Sequence, residues 1–288
     1  MTKGRIIKGI GGFYYVKAAD NVIYECKARG IFRKESIKPA IGDFVDILVE
    51  NGKGSIEKIY PRTSYLIRPT VANIDVLVIV VAAAEPEPNI LLIDKLLVNS
   101  EIAGIEPVIL INKTDVKSGE DLKEAYEKAG YPVILTSAKE QDVKKEILPY
   151  IKDKTSAFAG LSGVGKSTIL NLITDTIQQT GEISDKIKRG KHTTRHVELL
   201  ELPEGGFVLD TPGFSSFELL GIKAEELYKN FPEMRELEDM CRFKGCMHIN
   251  EPDCIVKEKV ESGEIAKSRY ESYVELFDEL KKIKEWEK

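Results

Sequence analysis

Along the first 68 residues, short β-branched and aromatic runs are cut every few positions by glycine. The runs are Ile6–Ile7, Phe13–Lys17, Val22–Lys27 and Phe44–Val49, and the breaks are Gly9, Gly11, Gly12, Gly30, Gly42, Gly52 and Gly54. This pattern predicts strands closed by turns into a small barrel. Gly42-Asp43 reads as a turn feeding Phe44–Val49, and residues 61–69, bounded by Pro61 and Pro69, as a linker.

From residue 72 the texture changes to alternating strand and helix. Ile74–Val81 is a nearly continuous apolar run, as a strand buried on both faces requires. Leu91 to Ala103 and Glu120 to Ala129 follow a helical period. Strands are predicted at Pro107–Ile111, Val133–Leu135, Ser156–Ala159, Val197–Leu202 and Phe207–Leu209. After residue 222 the strands stop, and the pattern predicts helices at Ala224–Asn230 and from Val256 to Lys284, interrupted near Gly263. The predicted architecture is an N-terminal all-β barrel of the OB type (1–68), an α/β domain with a parallel sheet (69–222) and a helical tail (223–288).

The chemistry lies at the carboxyl ends of the predicted strands, where open α/β sheets bind ligands. Gly160-Leu161-Ser162-Gly163-Val164-Gly165-Lys166-Ser167 is a phosphate-binding loop: its backbone N–H groups turn inward around an oxyanion, and side chains would obstruct that approach. Lys166 can reach the β- and γ-phosphates, the Ser167 hydroxyl can ligate Mg²⁺, and Thr168 follows in the same first helical turn. Gly163 has a plainer reading, as a residue that permits the turn. Asn112-Lys113-Thr114-Asp115 is a guanine-reading sequence. The Asp115 carboxylate can accept hydrogen bonds from N1–H and the exocyclic amine of guanine, and adenine would leave it unpaired. Ser137-Ala138-Lys139, one strand later, fits a loop whose N–H groups meet the guanine oxygen. Asp210-Thr211-Pro212-Gly213 fits an aspartate holding Mg²⁺ through water, followed by a glycine that senses the γ-phosphate. In ordinary GTPases the phosphate loop precedes the base reader, and here the order is reversed. The sequence therefore predicts a circularly permuted P-loop GTPase domain.

Between the phosphate loop and Asp210 lies Lys191-His192-Thr193-Thr194-Arg195. A switch threonine that gives its hydroxyl to Mg²⁺ belongs there; Thr194 is favoured over Thr193. The residue after Gly213 is Phe214, where many GTPases place a water-orienting glutamine, so slow intrinsic turnover is expected. His192 is the nearest substitute in sequence, against the alternative of a solvated loop histidine. Cys241, Cys246, His248 and Cys254 fall within fourteen residues and supply three thiolates and an imidazole, a set suited to one structural zinc. Cys26 stands alone in a predicted strand and reads as a small core residue.

Composition changes this picture little. Of 288 residues 42% are hydrophobic and 31% charged, an ordinary globular balance. The longest apolar run, Ile74 to Ala84, includes Asp75 and is about half a membrane span. Met1–Arg5 lacks a secretory signal's apolar core, so a cytoplasmic protein without membrane contact is expected. The net charge of −5 divides unevenly: +6 over residues 1–68, −7 over 69–222 and −4 over 223–288. A basic barrel on an acidic protein points to a polyanion, with Arg29, Arg33, Lys34 and Lys38 as candidate contacts, or to no more than a solvated basic surface.

With these residues placed, the chain resembles the RsgA family, also called YjeQ or YloQ, of bacterial small-ribosomal-subunit biogenesis GTPases. The resemblance rests on the barrel-like front, the permuted motif order, the Lys191–Thr194 run and the Cys-x4-Cys-x-His-x5-Cys pattern. It implies GTP hydrolysis stimulated by the small subunit late in maturation, rRNA contact, and a catalytic part for His192 beside Lys166 and Thr194. Monomer is the default oligomeric state. Two other classes stay open: a P-loop kinase or ATPase, which Asn112 and Asp115 oppose, and an RNA-binding protein whose nucleotide domain only senses.

Overall fold

The computed structural model describes residues 1–30, 32, 37–67, 69–139, 142–174, 197–210, 219 and 221–286, with only the backbone of 210 and 283–286. The front forms β1 (Thr2–Ile10), β2 (Phe13–Ala18), β3 (Ile23–Ala28), β4 (Phe44–Glu50) and β5 (Lys53–Ile59). They pair in the order β1-β2-β3-β5-β4, and β4 returns to β1, which closes the barrel. Only β3 and β5 run parallel, as in a five-stranded OB barrel. Ile6, Val16, Cys26, Val45, Ile47 and Ile56 fill its interior. Burial pushes the Cys26 thiol up to about 11, consistent with an inert core residue.

The sequence pattern had no strand for β5. Its residues, Lys-Gly-Ser-Ile-Glu-Lys-Ile, alternate weakly, and Gly54 breaks the apolar signal. That glycine is required by a close approach: a Cβ there would lie 2.2 Å from the Cys26 sulfur. The expected linker also holds structure: β6 (Tyr65–Leu66) lies within it and forms a short ribbon with β7 (Val71–Ala72) just beyond it.

The α/β region contains β8 (Val76–Ala82), α1 (Ile90–Ala103), β9 (Glu106–Asn112), α2 (Glu120–Lys128), β10 (Val133–Leu135), α3 (Val143–Ile151), β11 (Thr155–Ala159), α4 (Lys166–Thr174), β12 (Glu198–Glu201) and β13 (Phe207–Asp210). Strands β10, β9, β8, β11 and β13 lie side by side in parallel, and β12 is antiparallel to β13. Every residue of β8 is buried, because helices cover both faces. Leu77, Ile79 and Val81 pack on the α1 and α2 side, while Val76, Val78 and Val80 pack on the α3 and α4 side. No element was predicted at α3, where Pro149 interrupts the helical signal.

Barrel and α/β sheet are continuous. β1 pairs with β12, so the eleven strands form one sheet. The tail follows as a 3₁₀ turn (Ala224–Asn230), α5 (Pro232–Arg235), α6 (Ile255–Glu261) and α7 (Lys267–Trp286). The first of these is a tighter helix than the sequence pattern predicted. The tail packs on α1 through its own core, which includes Val98, Leu227, Phe231, Tyr273, Leu276 and Phe277. At the centre of that contact is Arg269, 1% exposed, paired with Asp94 of α1 and with Glu233 of α5. Among the described residues, no helix is long and apolar enough to cross a membrane.

Candidate nucleotide and metal sites

Three loops at the carboxyl ends of β9, β10 and β11 meet around one cavity of about 1090 Å³. Its lining includes Asn112, Lys113, Asp115, Ser137, Ala138, Lys139, Gly163, Gly165 and Thr168. Asn112, 3% exposed, ties the loops together: its amide donates to Val164 O at 2.8 Å, and its carbonyl accepts from Ala138 N at 3.0 Å. The phosphate loop must pass closely over this amide. A Cβ on Gly165 would lie 2.3 Å from Asn112 Nδ2, and Gly165 has φ +103°, so two constraints select glycine.

Lys113 holds a left-handed backbone, φ 67°, unusual for a lysine. Its ammonium donates to Gly163 O at 2.9 Å and to Glu85 O, which lays its stem along the cavity wall. Thr114 turns inward and donates to Thr136 O at 3.0 Å. Asp115 is exposed to the cavity, and Ser137 Oγ donates to its Oδ1 at 2.8 Å, fixing one carboxylate oxygen. In sequence Ser137 reads only as part of an N–H-bearing loop, because its hydroxyl meets Asp115 only once β9 and β10 are adjacent.

Lys166 begins α4 and bends over its own loop, donating to Gly160 O at 2.8 Å and Leu161 O at 2.6 Å. Burial lowers its pKa, and both partners are neutral carbonyls. Leu161 is half-buried, while Ser162, Ser167 and Thr168 are exposed beside it. Asp210 ends β13, and only its backbone is described. His192, Thr193, Thr194, Gly213, Phe214, Arg33 and Lys34 lie outside the described residues. Of the other barrel cations, Arg29 pairs with Glu57 and Lys38 is exposed.

In the tail, one ligand atom each from Cys241, Cys246, His248 and Cys254 lies within 4.8 Å of the others. Cys246 Sγ to Cys254 Sγ is 3.8 Å, and His248 Nδ1 stands 3.5 Å from Cys241 Sγ and 3.4 Å from Cys254 Sγ. A tetrahedron with Zn–S bonds of about 2.3 Å has S···S edges of about 3.8 Å and S···N edges of about 3.6 Å. The donor set and its spacing therefore fit a closed structural zinc site. Burial pushes the Cys246 thiol up to about 12 and lowers the His248 pKa. The imidazole is thus poised as a neutral ligand, whereas the buried thiol needs a cation to ionise. Two features that hold this loop were not apparent in the sequence. Glu251 accepts from the N–H groups of Met247, Ile249 and Asn250 at 2.8–3.1 Å. Tyr270 of α7 donates to His248 O at 2.7 Å, which supports its left-handed φ of 59°.

Permuted order of the base-reading and phosphate loops, one parallel sheet beneath them and a barrel ahead of them define a circularly permuted P-loop GTPase. The fold agrees with solved relatives. The crystal structure of YloQ, described as a circularly permuted GTPase, is 41% identical, with a TM-score of 0.82 over 98% of this chain and 96% of that one. YjeQ from Thermotoga maritima is 38% identical, with a TM-score of 0.80 over 97% and 98%. Residues 59–220 match the RsgA GTPase family and residues 3–56 the RsgA N-terminal domain. The chain belongs to the RsgA family of GTPases. The small ribosomal subunit biogenesis GTPase RsgA of Alkaliphilus metalliredigens is 48% identical over 98% of this chain and 99% of its own length. The protein of the same name from Bacillus subtilis is 47% identical, covering 98% of both chains.

Proposed function

We propose that this GTPase acts in biogenesis of the small ribosomal subunit, binding it late in maturation with GTP and leaving after subunit-stimulated hydrolysis. The observation that carries the reading is the convergence of Asn112–Asp115, Ser137–Lys139 and Gly160–Thr168 on one cavity. In this reading Asp115, held by Ser137, accepts from the guanine edge, and Lys113 lines the base. Asn112 keeps the base and phosphate loops in register. Lys166, confined among carbonyl oxygens, gains an anionic partner when phosphates enter the loop, and its charged form is favoured. Ser167, Thr194 and Asp210 would hold Mg²⁺, which supplies charge neutralisation at the β- and γ-phosphates. His192 would orient water in place of the missing glutamine. The Cys₃His cluster would hold one zinc that stabilises the tail. The division into barrel (1–68), GTPase domain (69–222) and tail (223–288) assigns rRNA contact to the basic barrel, and the chain works as a cytoplasmic monomer.

The test is phosphate release from GTP by purified protein, alone and with small subunits, with ATP as control. Slow basal turnover that rises with subunits is expected. Equal rates with and without subunits would remove the ribosome from the mechanism.

A further inference from the structure

We propose that the barrel's β1–β2 hairpin couples binding at the barrel to the state of the nucleotide site, with Lys8 and Glu198 as positioning residues. The inference rests on the function proposed above and adds the joint through which it operates.

The joint is a row across three strands. Lys8 of β1 lies opposite Glu198 of β12, and Glu198 lies opposite Asp210 at the end of β13. Directly opposed residues in antiparallel strands have Cα atoms about 4.5–5.5 Å apart. The barrel backbone therefore stands roughly 10 Å from the backbone of the aspartate assigned to Mg²⁺. Among the described residues the β1–β12 ladder holds one residue pair, and side-chain ion pairs add to the joint. Lys8 Nζ meets Glu198 Oε2 at 2.6 Å, with the two side chains 29% and 32% exposed. Lys17 of β2 reaches Glu201 at the other end of β12.

A second tie fixes the opposite ends of the nucleotide-bearing strands. Arg5 of β1 is 8% exposed, with its guanidinium 4.8 Å from the Phe44 ring of the barrel and 5.1 Å from the Phe207 ring of β13. It donates to Gly42 O in the barrel at 3.2 Å, and to Thr155 Oγ1 at 2.6 Å and Asn73 O at 2.9 Å across the junction. Thr155 and Phe207 begin β11 and β13, which end at the phosphate loop and at Asp210. With these starts clamped by Arg5, displacement of β13 and β12 is confined to their far end, where Glu198 meets Lys8. Ladder registers change in whole residues, so a change of β12 demanded at the nucleotide side reaches β1 as a discrete event. Linkage then requires that a partner favouring one arrangement of β1 also favours one nucleotide.

The test is hydrogen exchange on the full chain, loaded with GDP or a non-hydrolysable GTP analogue. It compares wild type, Lys8→Glu, Glu198→Lys and the double exchange. In wild type, amides of residues 2–10 should exchange about two- to fivefold differently between the two nucleotides, the size that one partly exposed ion pair supports. Each single variant should lose that difference, and the double exchange, which restores the pair with its charges reversed, should regain it. Identical exchange of residues 2–10 in both nucleotides overturns the coupling. Single variants that keep the full difference overturn the role of the pair, as does a double variant as deficient as the singles. Failure of the ribosomal reading would instead appear as wild-type hydrolysis indifferent to subunits, with the exchange difference intact.

Discussion

Replacing Arg269 by methionine should loosen the tail from the GTPase domain more than any surface change could. The guanidinium is 1% exposed and pairs with Asp94, itself fully buried, and with Glu233 at 2.8 Å. It also lies 4.5 Å from the Phe231 ring, 5.4 Å from Tyr131 and 5.5 Å from Tyr126. Methionine keeps most of the apolar packing but leaves two carboxylates without their cation. Removing one partner of a buried ion pair destabilises by about 3–5 kcal/mol, chiefly because the remaining charge stays desolvated. With a urea slope of about 3 kcal/mol/M, the midpoint should fall by roughly 1–1.7 M. Urea titration followed by circular dichroism measures the shift. A matched variant, Arg269→Met with Asp94→Asn and Glu233→Gln, removes the orphaned charges and should recover more than half the loss. A single variant that loses under about 1 kcal/mol, or a triple variant no more stable than the single, would refute the reasoning.

Three further outcomes are expected. Asp115→Asn should lower the preference for GTP over other purine nucleotides by roughly 10–100-fold in a competition assay, since the guanine N–H donors lose their carboxylate partner; unchanged selectivity would place base reading elsewhere. Metal analysis should find one zinc per chain. Cys254→Ser should lose it and lower the unfolding temperature, because metal-binding energy is folding energy in such a module, whereas full zinc content in that variant would contradict the assigned ligand set. Lys166→Ala should abolish turnover, while His192→Ala should keep GTP affinity and reduce only stimulated hydrolysis; normal stimulated rates in either would remove that residue from the mechanism.

Much of the fold is legible in the sequence because it follows from local periodicity. β8 announces itself by an unbroken apolar run and α1 by its helical spacing, whereas the cap that starts α1, Asn89 accepting from Leu92 N at 2.9 Å, is seen only in the structure. Two missed elements have their local signal spoiled by a residue that tertiary packing requires or tolerates, Gly54 against Cys26 in β5 and Pro149 within α3, while β6, β7 and α5 are two to four residues long and too short to carry a period. The loops around the cavity could be located because each follows a strand. Their mutual ties could not, since Asn112 to Val164 spans 52 positions and Ser137 to Asp115 spans 22.

The sequence by itself determined the permuted order, the loops at the strand ends and the spacing of the Cys₃His set. These are short-range features, in which backbone conformation and donor type are set within a few residues. Only the tertiary structure decided how the three regions are joined. Lys8 meets Glu198 across 190 positions, Arg5 meets Thr155 across 150, and Arg269 meets Asp94 across 175. Such pairs leave no periodic trace, because a lysine or arginine poised for a distant carboxylate or hydroxyl reads in sequence like any solvated cation. Its partner is chosen only when the sheet closes and water is excluded from around it.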